Sequence, residues 1–306
     1  MELPFETYDV FTTTRYLGNA LGVVTIPADA VKPTQEQKQA IAREFNLSET
    51  IFIHQVADPA TNKQRQIDIF VTDAELPFAG HPVIGAAVSL LDEGVDTIIT
   101  KAGPIPVRKT GDQSAQAAVP FNTHLHQKRL RDAAVAADQL SDVAVIRDAE
   151  LQAPLFSIVK GMNFYLTELP DLNTLGRVTV GSFNPPQELL DEEWRVGFAG
   201  IYYFVRLGDR VGDDGIPVVS LRTRMVAGVL GIEDPATGSA SCCLCSYLST
   251  VASDQKVPFV KYEITQGVEM GKESSITVVI GVKDGKLDSV SLSGAAVRVM
   301  KGVLTI

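Results

Sequence analysis

The stretch that decides the fold is ELPFAGHPVIGAAVSL, residues 75–90, which begins as a loop and ends as a run of small apolar residues. A run of this kind without a polar face predicts a helix buried on all sides. Pro82 suits the first helical positions, where a missing backbone N–H breaks no hydrogen bond. Gly80 and His81 stand where this helix starts, and the free N–H groups and positive dipole end of a helix start attract anions. The start of this helix is therefore a candidate ligand site.

A second loop, EDPATGSASCCLCSYL at residues 233–248, has the same organisation. It closes with Gly238 and Ser239 and then enters another helix of small residues. Two such helices, one in each half of the chain, predict a single cleft into which both N-termini point, suited to a carboxylate-bearing small molecule. The alternative is that both glycines only allow tight turns and both helices are simply buried, because a glycine and a polar residue often precede a helix. The tetrapeptide DPAT carries no signal by itself, since its first copy lies in a predicted hairpin turn at residues 58–61.

Length and composition restrict the class of protein. A chain of 306 residues predicts two domains of similar length, and 45% hydrophobic with 21% charged residues is the balance of a globular protein. The net charge of −10, without a basic stripe, argues against a nucleic-acid partner. The start MELPFETYDVFTTT lacks the pattern of a signal peptide, and no apolar run is long enough to span a bilayer. We therefore expect a cytoplasmic protein without membrane partners.

The cysteines and histidines favour packing over metal or redox chemistry. All three cysteines lie in SCCLCSYL, where Cys242 and Cys245 have the C-x-x-C spacing of a redox pair or half a metal site. The segment is a predicted helix of small residues, in which free Cys packs as a hydrophobe, and the four histidines form no zinc-ligand pattern. With no P-loop or G-x-G-x-x-G motif either, we expect neither metal nor cofactor.

Hydrophobic periodicity gives a coarse order of elements. It predicts a helix over residues 34–46 with Thr34 as N-cap, and a hairpin of residues 50–57 and 64–72. Residues 122–152 are polar with helical character and read as a domain junction. The second half then repeats the strand-rich order of the first and ends in two predicted strands, at residues 288–294 and 297–306.

The chain resembles the PhzF-like family, which is named for a phenazine-biosynthesis isomerase. The resemblance spans residues 8 to 304 and lies in the stretches YDVFTTTRYLGNALGVV, AREFNLSETIFI, ELPFAGHPVIGAA, EDPATGSA, QGVEMGKES and GAAVRVMKGVL. It implies the α+β fold of diaminopimelate epimerase, in which two similar domains each wrap an antiparallel sheet around a central helix, with the active site in the interdomain cleft. The domains implied are residues 1–124 with the returning C-terminal strand 297–306, and residues 125–296.

The resemblance also assigns roles to residues. It implies that Glu49 of the SET motif transfers the proton as acid and base, and that His81 and Asp234 help to hold the substrate and relay protons. Its implied substrate-binding residues are Asn19, Gly80, Gly238 and Ser239.

Two observations on the residues themselves bear on the chemistry. LSET, taken alone, fits a solvated loop before a strand, whereas a glutamate buried between apolar domains would have a raised pKa suited to giving and taking a proton. Diaminopimelate epimerase and proline racemase, related in fold, carry a cysteine before each glycine of the paired loops. Here those positions hold Ala79 and Thr237, so a two-thiol racemase mechanism is not expected.

The leading hypothesis is a cofactor-independent isomerase that moves a proton between carbons of a small carboxylate-bearing metabolite. One alternative is a non-catalytic small-molecule-binding or regulatory protein on the same fold. A second is a racemase or epimerase, which needs another acid on the opposite face of the substrate. The sequence identifies neither the substrate nor the pathway. A homodimer is plausible because most soluble oligomers are homo-oligomers, and dimers are the commonest of these.

Overall fold

The computed structural model describes residues 2–181, 183–184, 186–228, 231–252 and 257–306. Contacts divide the chain into two compact units. The first contains the residues up to Val119 together with Leu292–Ile306, and the second is Pro120–Ser291. None of the described helices is both long and apolar enough to cross a bilayer.

Strands make up most of the regular structure. They are β1 (Glu2–Val10), β2 (Asn19–Ile26), β3 (Glu49–His54), β4 (Gln64–Phe70), β5 (Glu75–Leu76), β6 (Thr97–Thr100), β7 (Gly103–Gly111), β8 (Ser114–Ala118), β9 (His124–Leu125), β10 (Leu155–Val159), β11 (Gly161–Glu168), β12 (Gly197–Val211), β13 (Pro217–Ala227), β14 (Ile232–Asp234), β15 (Phe259–Gln266), β16 (Ser274–Lys283) and β17 (Lys286–Thr305).

The helices are few. They are α1 (Gln35–Phe45), α2 (Gly80–Ser89), α3 (Ala144–Gln152), α4 (Leu172–Leu175) and α5 (Gly238–Thr250). Short 3-10 helices occupy Leu91–Glu93, Leu130–Asp132, Ala137–Gln139, Gln187–Leu189 and Glu192–Trp194.

The first unit is a closed barrel of eight strands, in the order β1, β2, β3, β4, β6, β7, β8 and β17, with β17 returning to pair with β1. The β2–β3 and β4–β6 pairs are parallel, and the other pairs with a determined register are antiparallel. Parallel neighbours need a crossover connection, which α1 supplies for the first pair and α2 for the second. The expected antiparallel sheet is thus a mixed sheet in this unit.

Helix α2 runs through this barrel, because it contacts β1, β2 and β3 as well as β6, β7 and β8. Eight of its ten residues are buried, which accounts for a sequence of small residues with no polar face. Gly85 shows how close the fit is, since a Cβ there would lie 2.3 Å from Leu21 Cδ2 and 3.1 Å from Val10 Cγ2. The helix predicted from residues 75–90 is confirmed, with Gly80 as its first residue.

The second unit repeats the topology of the first. Its strands β10, β11, β12, β13, β15 and β16 pair in that order, with the parallel joints at β11–β12 and β13–β15. Helix α5 takes the place of α2 and contacts β10, β11, β15 and β16. The two similar sheet-and-helix units predicted from the sequence are therefore present.

Strand register makes individual residues of the two units equivalent. Phe70 pairs with Glu75, five residues before α2 begins, and Val226 pairs with Glu233, five residues before α5 begins. Phe70 and Val226 thus occupy the same place in the repeat. Residues can be compared between units by counting outward from this pair.

Each unit packs a further apolar cluster of buried residues. In the first unit the cluster joins α1 to β1, β2, β3 and β4 and contains Leu3, Val24, Ile26, Ala42, Phe52 and Phe70. In the second unit it joins α3 and the segments around it to the sheet, and includes Leu130, Ile146, Leu155, Tyr165, Phe183 and Tyr203.

Several predicted boundaries differ from those of the structure. Residues 122–152 contain the short strand β9, 3-10 turns and α3, and they belong to the second unit because β9 pairs with β10. The two predicted final strands are one continuous strand, β17, so the part belonging to the first unit starts at Leu292 instead of residue 297. The first unit ends at Val119, five residues before the expected limit.

Candidate active site

Glu49 is fixed in place by the turn between α1 and β3. Helix α1 starts with the predicted Thr34 cap, whose hydroxyl accepts from the Gln37 N–H, and ends at Asn46, which is in the left-handed conformation with φ 50°. The chain then needs only two more residues before it enters β3 at Glu49. Because β3 runs parallel to β2 with Leu21 opposite Glu49, the starts of both strands lie at the same edge of the barrel.

His81 of α2 meets Glu49 at this edge. The distance from His81 Nδ1 to Glu49 Oε2 is 3.3 Å, and the two side chains are 4% and 16% exposed. Burial raises the pKa of Glu49 from its usual 4.5 to about 7, against the opposing effect of a hydrogen bond with Ser48. Glu49 Oε2 is itself buried and has no hydrogen-bond partner among the described residues. A carboxyl group in this state can give or take a proton near neutral pH.

Asn19, the first residue of β2, lies beside this pair. Its side chain is buried, and its Oδ1 accepts a hydrogen bond of 2.9 Å from Ser48 Oγ. Ser48 directly precedes Glu49 in the chain. Asn19 therefore belongs to the same side-chain group as Glu49 and His81.

In the second unit, Asp234 ends β14 just before α5. Its Oδ2 accepts a hydrogen bond from the Thr237 hydroxyl. Gln266, at the end of β15, donates from Nε2 to the Asp234 carbonyl at 2.7 Å and to Thr237 Oγ1 at 3.1 Å, and its Oε1 accepts from the Thr237 N–H at 3.2 Å. A single buried amide thus holds both the strand end and the N-cap residue of α5.

The Tyr202 hydroxyl continues this hydrogen-bond network beneath α5. It lies 3.0 Å from Thr223 Oγ1, 2.8 Å from Ser241 Oγ and 3.0 Å from Gln266 Oε1, and all four residues are fully buried. Such a network, once satisfied, holds its members in one arrangement.

The two helix starts are equivalent in the repeat. Gly80 and Gly238 are the first residues of α2 and α5, and the second positions are His81 and Ser239. Neither N-cap residue, Ala79 or Thr237, caps its helix with a side-chain hydrogen bond. Backbone N–H groups in the first turn of a helix favour an anion. Gly80, His81, Gly238 and Ser239 are all buried.

The structure thus brings the expected site residues together as two groups. Asn19, Glu49, Gly80 and His81 meet in the first unit, and Asp234, Gly238 and Ser239 meet in the second. That both groups face one cleft stays a prediction of the sequence.

Comparison with known proteins places the chain in a family. A family model described as phenazine biosynthesis-like protein matches residues 8–302. The chain belongs to the phenazine biosynthesis-like (PhzC-PhzF) family.

Several curated proteins similar over the full length carry isomerase names. An uncharacterized isomerase of Mesorhizobium japonicum is 30% identical over 309 residues, covering 98% of this chain and 97% of that protein. The trans-2,3-dihydro-3-hydroxyanthranilate isomerase of Pseudomonas fluorescens is 29% identical over 309 residues, covering 97% and 98%. The chain is therefore an isomerase-type member of the PhzC-PhzF family.

Solved structures confirm the fold expected for this family. A PhzF-family phenazine biosynthesis protein of Bacillus anthracis superimposes with a TM-score of 0.73 at 22% identity, covering 100% of both chains.

The part of this PhzC-PhzF site that sequence reasoning missed is the network around Gln266 and Tyr202. Gln266 opens the quoted stretch QGVEMGKES, yet no spacing rule connects it to Thr237, 29 residues earlier. Tyr202 lies in an apolar strand segment and reads as a core residue. The sequence does contain one signal. Gln266 ends a predicted strand, and a side-chain amide that is buried there requires a hydrogen-bond partner.

Proposed function

We propose that this protein is a cofactor-independent isomerase in which Glu49 moves a proton between carbons of a small carboxylate-bearing metabolite. The observation that carries the proposal is the buried Glu49 carboxyl, 3.3 Å from His81 Nδ1, with its pKa raised to about 7. The same group can then remove a proton from one carbon and return it to another without help from solvent.

His81 and Asp234 serve as polarising and orienting groups in this scheme. The His81 ring touches Glu49 and can stabilise charge that develops when the proton leaves. Asp234 is held by Thr237 and so offers an oriented carboxylate to a polar group of the substrate. The N–H groups at Gly80, Gly238 and Ser239 are suited to binding the substrate carboxylate.

The repeat supports proton transfer by one acid instead of two. Phe70 pairs with Thr50 of β3, and Val226 pairs with Ile201 of β12. The residues that precede these partners, Glu49 and Gly200, therefore occupy equivalent places in the two units. The second unit therefore has no carboxylate at the position that Glu49 takes in the first. Ala79 and Thr237 likewise lack the thiols of a two-base racemase.

The names of similar proteins indicate which compounds to test as substrates. The Pseudomonas fluorescens protein is named as an isomerase of trans-2,3-dihydro-3-hydroxyanthranilate, a cyclic amino acid with a hydroxyl group. Cyclic and acyclic hydroxy and amino acids are therefore the class to screen, with that compound among them.

The test is deuterium uptake in heavy water, followed by mass spectrometry, with the wild type, Glu49→Gln and the control Glu44→Gln. Glu44 is exposed on α1, so its variant removes one carboxylate outside the proposed site. We expect carbon-bound deuterium with the wild type and control, and a loss of about 100-fold or more with Glu49→Gln.

The same experiment separates the alternatives. Tight binding of a compound that takes up no deuterium, equal for the wild type and Glu49→Gln, would replace the isomerase with a binding protein. Uptake that persists in Glu49→Gln would assign the proton transfer to another residue.

A further inference from the structure

Three potential metal ligands meet in the second unit, and none of them is among the residues of the site described above. His124 lies in β9 and His126 follows that strand, so their alternate positions place both rings on one face. Asp191 directly precedes the 3-10 helix Glu192–Trp194. The Asp191 Oδ2 lies 2.7 Å from His124 Nε2 and 3.9 Å from His126 Nδ1, and one ligand atom from each residue falls within 4.8 Å of the others.

We propose that His124, His126 and Asp191 form a binding site for a divalent transition metal ion, and specifically for Zn²⁺. Two imidazoles and one carboxylate are a common donor set for such ions. The spacing of the histidines alone does not predict the site, because Asp191 is 67 residues from His124 in the chain.

The surroundings of His126 are those of a metal ligand bound through Nδ1. Its Nε2 lies 2.9 Å from Ser157 Oγ, a contact of the kind that fixes the ring of a metal-ligating histidine. Its Nδ1 accepts a hydrogen bond of 3.1 Å from the Asp191 N–H, so this nitrogen is unprotonated and carries the lone pair that a metal requires. Metal binding would replace that hydrogen bond.

Of the two other ligands, His124 is held in a fixed orientation, and both His124 and Asp191 are partly exposed to solvent. The His124 ring stacks on Trp194 with centroids 4.7 Å apart and planes inclined by 9°, which fixes its orientation. The side chains of His124 and Asp191 are 32% and 26% exposed, while that of His126 is fully buried. The cluster is therefore closed on the protein side and open to water on the other, which leaves room for water as the fourth ligand of a tetrahedral ion. A bound ion would join β9 to the segment around Asp191.

The test is a titration of the chelator-treated full chain with ZnCl₂ by calorimetry, and with CoCl₂ by visible absorption. We expect one equivalent bound by the wild type, with Co²⁺ ligand-field bands and no thiolate charge-transfer band, because the buried cysteines 242, 243 and 245 take no part. Asp191→Asn and His124→Gln should each weaken Zn²⁺ binding by about tenfold or more.

Two controls assign the ion to this site. Asp112→Asn removes a fully exposed carboxylate, and Glu49→Gln alters the proposed isomerase site, so both should bind Zn²⁺ as the wild type does. Circular dichroism checks that each variant is folded. The proposal is overturned if the wild type binds no stoichiometric Zn²⁺, if binding survives in both ligand variants, or if it is lost in Glu49→Gln. Isomerase activity is a separate readout, so failure here leaves the proposed function standing.

Discussion

At the scale of single residues, the proposed site depends on the burial of ionisable side chains, which in water would keep their ordinary pKa values. The positions of Glu49, His81 and Asp234 were expected from motifs in the sequence. Their environments were not, because burial and hydrogen bonding depend on which strands and helices close around them. The raised pKa of Glu49 is the clearest case, since LSET fits a solvated loop equally well.

This burial predicts a pH-dependent stability. A carboxyl whose pKa is raised by folding stabilises the folded state fully below the unfolded pKa of 4.5, and this contribution is lost as pH rises through about 7. Relative to Glu49→Gln, the wild type should therefore lose about 3 kcal/mol of unfolding free energy between pH 4.5 and pH 8. Urea denaturation of both proteins across this range measures the difference. A constant difference would show that the Glu49 pKa is close to its usual value.

A second prediction concerns the hydrogen-bond network under α5. Tyr202→Phe removes a hydroxyl that contacts three buried polar groups, so we expect a loss of about 1–3 kcal/mol in unfolding free energy. Tyr247→Phe is the matched control, because that tyrosine packs on Phe156 and its hydroxyl makes no hydrogen bond to a described residue. Urea unfolding of the two variants should separate them. Equal stabilities would mean that the network contributes little.

At the scale of elements, local chemistry predicts the ends of helices better than the extent of strands. Thr34 caps α1 as its sequence indicates, and α2 and α5 begin at the two glycines. Strand limits were less predictable, because pairing with a distant strand decides where a strand stops. Thus β1 begins at Glu2 because this residue pairs with Thr305 of β17, at the other end of the sequence.

The fit of α2 inside its barrel can be tested with one methyl group. Gly85→Ala raises helix propensity, but its Cβ would meet the fully buried Leu21 and Val10. We expect a net loss of about 1–3 kcal/mol in unfolding free energy, measured in urea. Gly181→Ala is the control, since no atom of the described residues beyond its chain neighbours lies within 4 Å of the added Cβ there. A Gly85→Ala variant as stable as the wild type would mean that the barrel wall yields easily.

At the scale of the whole molecule, the repeat is visible in strand pairing and almost absent from residue identity. The sequence could indicate it only through two similar loops, because equivalent positions such as Glu49 and Gly200 have diverged. The family resemblance supplied the rest of the architecture. In the proposed mechanism this divergence gives the two units different roles, because the first would contribute the carboxyl and imidazole and the second the Asp234 group.

If both groups act on the same substrate, their losses will not be independent. Glu49→Gln and Asp234→Asn should each lower the deuterium-exchange kcat, and the double variant should lose less than the product of the two single losses. The assay is the heavy-water exchange on the substrate found by screening, with Asp112→Asn as the control. Losses that multiply would assign the two groups to separate steps or separate ligands.

Strand β17 has a consequence for biosynthesis. The first unit starts at the beginning of the chain, but its barrel closes only when Leu292–Ile306 arrives to pair with β1. On the ribosome, the second unit therefore has all of its residues before the first unit can finish folding, which reverses the usual N-terminal-first order. Until then β1 exposes an unpaired edge, and a nascent chain arrested before residue 292 would be open to intermolecular strand pairing.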